Sequence, residues 1–112
     1  MTPAAASTWR WLAQRISAAV LALCVLVHLA TIVYATRRGL TADAMLARTH
    51  ASVLWPAFYG VFVVAVAVHA PLGLRVILDE WSGLRGRGVD ILLVLFALVL
   101  LAGGLRAVAV LA

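Results

Sequence analysis

The sequence predicts an all-α integral membrane protein with three transmembrane helices running up-down-up, and three observations lead there. Of 112 residues, 66% are hydrophobic and only 12% are charged, against about 45–50% apolar and about 25% charged in soluble domains. Mean hydropathy is +1.13, which excludes a water-soluble globule. The apolar residues also gather into three runs, each close to the roughly 20 residues a membrane helix needs. Residues 1–112 are read as a single transmembrane anchor domain, the length leaving no room for a second.

The first span covers about residues 12–35, with Arg10 and Arg15 at its start and Arg37-Arg38-Gly39 at its end. A cleaved signal peptide is the competing reading. The run exceeds the roughly 7–15 apolar residues of a signal core, and no clear cleavage site follows it. The second span covers about residues 53–78 and closes on Asp79-Glu80-Trp81. The third covers about residues 91–111, with Asp90 expected as its N-cap. Lipid offers no partner for backbone polar groups, so each span must satisfy its own as a helix.

The connector from Thr36 to Ser52 is polar and is expected to hold a short surface helix. The one from Ser82 to Val89 carries three glycines with Arg85 and Arg87 and reads as a flexible basic loop. Three spans place the N-terminus and this second loop on one side, with Arg10, Arg15, Arg75, Arg85 and Arg87. Arg37, Arg38 and Arg48 fall on the other, with Arg106 near the far end of the third span. The bias points to a cytoplasmic N-terminus. All nine basic residues are arginines and the net charge is +5, yet they border apolar runs, which fits lipid headgroups and not nucleic acid. Cys24 has no partner for an internal disulfide.

Two histidines lie within spans, His28 in the first and His69 in the second. An ionisable ring in hydrocarbon is costly and marks a candidate site. Neutral imidazole can bond a neighbouring helix or ligate a metal such as haem iron. Helical spacing puts Trp55, Phe58, Phe62, Ala65, Gly73, Val76 and Glu80 near the face of His69. Gly73, one turn on, leaves space where a flat macrocycle could approach the backbone, and the aromatics could wall its other side. His28 shares a face with Gln14, Ser17, Cys24, Thr31 and Ala35, a seam of small and polar residues that first suggests a helix–helix contact. A ligand role for His28, toward a second haem, is the other reading. His50 is expected to face water.

Arg15, Ser17, Arg75, Glu80 and Trp81 should lie near one membrane face. The plain reading is snorkelling arginines and an aromatic belt. The sharper reading is a polar pocket whose Arg, Ser and Trp donors meet a quinone carbonyl or a haem propionate. His69 stands roughly 15 Å of helix from the Asp79-Glu80 edge.

With those residues in place, Gln14-Arg15-Ile16-Ser17-Ala18 and His69-Ala70-Pro71-Leu72-Gly73-Leu74-Arg75, followed by Glu80-Trp81, resemble the membrane anchors of succinate dehydrogenase and fumarate reductase. The resemblance implies three membrane helices and membership of a complex with a flavoprotein subunit, an iron–sulfur subunit and a second anchor subunit. It implies a haem b shared between anchors, with His69 as one axial ligand. It implies ubiquinone or menaquinone as electron acceptor, and cofactor contacts from Arg15, Ser17, Arg75, Glu80 and Trp81. It also implies a bacterial inner membrane. Trp81 stands where the smaller anchor often has Tyr, and the pair Asp79-Glu80 leaves open which acid takes the family role. Features of the larger cytochrome b556 type and of the small hydrophobic anchor type are both present.

The function expected is therefore that of an anchor passing electrons from an iron–sulfur subunit to quinone, while succinate chemistry belongs to the flavoprotein. The alternative is a non-redox membrane scaffold or assembly subunit, which leaves His69, Gly73 and Arg75 unexplained. A small transporter should carry an acid near mid-span. Here Asp43, Asp79, Glu80 and Asp90 all sit at span edges.

Overall fold

A computed structural model describes residues 2–112. Three long helices and one short one follow in the order α1 (Pro3–Arg38), α2 (Ala42–His50), α3 (Leu54–Ile77) and α4 (Arg87–Leu111), with a π-helical turn, Leu78–Ser82, closing α3. Three segments, Ala4–Arg38, Leu54–Ser82 and Arg87–Leu111, are long and apolar enough to cross a membrane. The longest dimension is 50 Å, a little more than the roughly 40–45 Å of a bilayer with its headgroups.

Local chemistry sets the helix ends. Thr2 caps α1, its hydroxyl accepting from the Ala5 amide at 3.1 Å, and Pro3 takes the first turn, where a missing N–H is harmless. The helix thus begins nine residues before the apolar run expected at residue 12. At 36 residues it is much longer than the roughly 20 a membrane crossing needs. At the other end Gly39 adopts φ 64° and its amide bonds back to the last turn, a left-handed stop that suits glycine. The expected surface helix is α2, capped by Thr41 with Asp43 in its first turn. The third span departs from expectation: α4 starts at Arg87 after Gly86, with no side-chain cap. Asp90 therefore sits inside the first turn, where it meets Arg75 of α3.

The middle helix is α3, packed on α1 along one side and on α4 along the other. Small residues make these approaches close. Ser17 and Cys24 are buried on α1, Ala65, Ala67 and Pro71 on α3, and Leu93 on α4. Pro71 frees the Ala67 carbonyl, which a membrane helix tolerates when neighbours cover it. A methyl group on Gly104 of α4 would overlap the Val63 side chain of α3, so glycine fixes that contact. Most large apolar side chains face outward, as expected where the solvent is lipid.

Candidate functional site

The antiparallel order brings the start of α1, the end of α3 and the start of α4 to one end of the bundle. There the α1–α3 seam opens into a groove of about 660 Å³, lined by Arg10, Gln14 and Arg15 of α1 and by His69, Arg75 and Glu80 of α3 and its closing turn, among others. Four of the residues singled out from the sequence, Arg15, His69, Arg75 and Glu80, thus share one wall-to-wall space. Arg15 lies over the Trp11 ring, 5.4 Å from its centroid. Arg75 is ion-paired with Asp90, and Arg85 with Asp79, so two of the basic residues at this end already have acidic partners.

His69 is half-buried, and its Nδ1 lies 3.3 Å from the Ser17 hydroxyl across the helix seam. Ser17 is 6% exposed and is not among the residues lining the groove. Trp81 is 84% exposed and also stands outside it, because the π turn ends the regular spacing that would carry α3's face onward.

Two details of the His69 face differ from the sequence reading. Gly73 lines this groove, and the Gln14 side-chain nitrogen, 3.3 Å from where a Cβ would be, narrows the space beside it. Of the aromatics expected to wall His69, Phe62 instead meets His28, while Trp55 and Phe58 pack against Tyr59 and each other. The His28 Nδ1 is 3.0 Å from the Tyr59 hydroxyl, and its ring meets Tyr59 and Phe62 edge-on at 5.6 and 5.8 Å. The periodicity placed the aromatics on roughly the right face of α3 but carried no information about which level of α1 they would meet. His28 borders a second groove of about 530 Å³ between α3 and α4, lined chiefly by apolar residues and by Gly103 and Gly104. His50 is exposed on α2, with Nδ1 2.8 Å from the Ala112 carbonyl.

The donor set suits a haem edge: one imidazole whose Nε2 makes no hydrogen bond among the described residues, and Arg10 and Arg15 in the same space. It offers one axial ligand only. His28 lies eleven residues along α1 from Ser17, roughly 16 Å at helical rise, and so at another depth from His69. Among the described residues no three His, Cys, Asp or Glu side chains cluster as for a metal ion. Sequence reasoning missed the Asp90 partner of Arg75, the Tyr59 partner of His28 and the place of Gln14. The first had a signal, since both residues flank one short loop.

Comparison with known proteins gives one match. The family model described as succinate dehydrogenase/fumarate reductase transmembrane subunit covers residues 2–105. No curated protein and no solved structure matches.

Proposed function

We propose that this chain, which belongs to the succinate dehydrogenase/fumarate reductase transmembrane subunit family, is the anchor through which electrons from an iron–sulfur subunit reach a quinone. The observation supporting this is the convergence of His69, Arg10, Arg15 and Glu80 on one groove at a membrane-facing end of the bundle. Haem b, when bound, supplies a one-electron carrier inside the membrane.

His69 is the residue of this chain that would hold the haem, with a second anchor subunit holding it from the other side. The guanidiniums of Arg10 and Arg15 would give forked, charge-assisted hydrogen bonds to a propionate or polarise a quinone carbonyl. Quinone takes up two electrons and two protons to become quinol, and Glu80 at the groove's edge is the group placed to relay a proton. Arg75, held by Asp90, keeps α4 against α3 at the edge of the pocket. Trp81, outside the groove, belongs to the interfacial aromatic belt or to contact with a soluble subunit. His28 is a packing contact. The groove end, with the N-terminus, faces the cytoplasm, where the flavoprotein and iron–sulfur subunits dock, and residues 1–112 act as one anchor domain. The quinone is ubiquinone or menaquinone.

A non-redox scaffold remains the second reading, favoured by the hydrogen bonds that both intramembrane histidines make within the chain. Affinity purification of the tagged chain in mild detergent separates the two. The anchor reading predicts recovery of flavoprotein and iron–sulfur subunits together with reduced b-type haem bands. Recovery of those subunits without haem bands, or no recovery of them, would contradict it.

A further inference from the structure

Ser17 is the one buried polar side chain among the described residues, and it sits between two membrane helices. Its hydroxyl makes two contacts, 3.1 Å to the Gln14 carbonyl and 3.3 Å to Nδ1 of His69. A serine hydroxyl has a single proton to give. The Gln14 carbonyl can only accept. If the proton went to His69, the hydroxyl and carbonyl oxygens would face each other with lone pairs alone. Both contacts are hydrogen bonds under one assignment only, in which Ser17 donates to Gln14 and accepts from Nδ1–H of His69.

From this geometry we infer that Ser17 is a positioning residue that locks His69 in the Nδ1–H tautomer, leaving the Nε2 lone pair free for a ligand in the groove. The resemblance implied a cofactor contact for Ser17; its burial in the seam, away from the groove lining, assigns it a different task. The lock is built from two helices, with the Gln14 carbonyl fixing the hydroxyl and the hydroxyl fixing the ring. An imidazole that donates through one nitrogen is a stronger base at the other. For a haem ligand this favours the oxidised iron and lowers the reduction potential. His28 lacks such a lock: the Tyr59 hydroxyl can donate to its Nδ1 or accept from it, so either tautomer satisfies that pair.

The effect on potential rests on the haem reading proposed above, whereas the tautomer does not, and two measurements keep them apart. The first is a redox titration with electron paramagnetic resonance of the haem in the assembled complex carrying Ser17→Ala or Ser17→Thr. Ser17→Ala is expected to retain haem, raise its midpoint potential and shift its ferric g-values. Ser17→Thr, which keeps a hydroxyl able to bond the preceding turn, should return both toward the parent. Ser17→Ala with unchanged potential and g-values, even if the complex became less heat-stable, would overturn the proposal.

The second is the ¹⁵N spectrum of histidine-labelled full chain in lipid. The His69 ring, told apart from that of His50, whose Nδ1 faces the Ala112 carbonyl, should be in the Nδ1–H form and should lose that signature in Ser17→Ala and regain it in Ser17→Thr. A ring at position 69 in the Nε2–H form would overturn the lock. The Nδ1–H signature in a complex without haem would instead uphold the lock and reject the haem assignment.

Discussion

His28 and His69 are the same residue type set into apolar helices of one bundle, and their surroundings have little in common. Around His28 the rings of Tyr59 and Phe62 stand edge-on, the hydrogen-bond partner is the Tyr59 hydroxyl on the facing helix, and the adjoining groove is almost wholly apolar. Around His69 the partner is a serine whose proton is already committed, and the adjoining groove holds Arg10, Arg15 and Glu80. Burial of an imidazole in lipid is thus met in two ways. One arrangement closes the ring into helix packing. The other fixes one nitrogen and leaves the second facing charged groups at a membrane edge. A histidine in a membrane helix becomes informative only when its hydrogen-bond partner and the partner's own proton are known.

The contrast can be sharpened by substitutions on either side of it. The largest effect is expected at the polar groove. Arg15→Ala should lower quinone reduction by the complex roughly ten- to hundredfold, the loss of a hydrogen bond to a charged group. Succinate oxidation with an artificial dye should be kept. Unchanged quinone turnover would remove Arg15 from the site. Next come the two helix seams. Gly104→Ala drives a methyl into Val63 of α3, a stiff β-branched neighbour, and should destabilise the complex by roughly 1–3 kcal/mol, read as a lowered midpoint of thermal unfolding in detergent. Gly73→Ala meets only the end of the flexible Gln14 side chain and should cost less than Gly104→Ala. The reverse order would show that the α1–α3 seam is the tighter one.

Smaller still is Tyr59→Phe, which removes the hydroxyl beside His28 while keeping the ring. About 0.6 kcal/mol is typical for an interhelical hydrogen bond in a membrane, and haem spectra should not change. A spectral change would place His28 near the cofactor after all. The smallest effect is expected from the Arg75–Asp90 pair, half-exposed at the membrane edge. A double-mutant cycle with Arg75→Gln and Asp90→Asn should give no more than about 1 kcal/mol.

Much of this organisation was legible in the sequence, because composition and run length suffice for three membrane helices and their antiparallel order. The polar groove was legible too. Arg15, Arg75 and Glu80 sit at span ends that antiparallel packing must bring together, and His69 lies on the same face of α3 as Glu80. What could not be read was the relative depth of α1 against α3. Periodicity gives an angle about an axis and no offset along it. Phe62 was therefore assigned to the His69 face when it meets His28, and the Gln14 side chain that narrows the space beside Gly73 was not foreseen. Asp90 was misplaced for another reason. It has the chemistry of a cap, but Gly86 lets the chain turn earlier, and the acid then finds Arg75. The early start of α1 was missed because an apolar-run criterion ignores Thr2 and Pro3, which set the helix start.

The most direct test compares the two histidines in one experiment. Reduced-minus-oxidised spectra of the assembled complex should lose the b-type haem bands in His69→Ala and keep them in His28→Ala. Bands that persist in His69→Ala, in a complex that still contains this chain, would contradict the account.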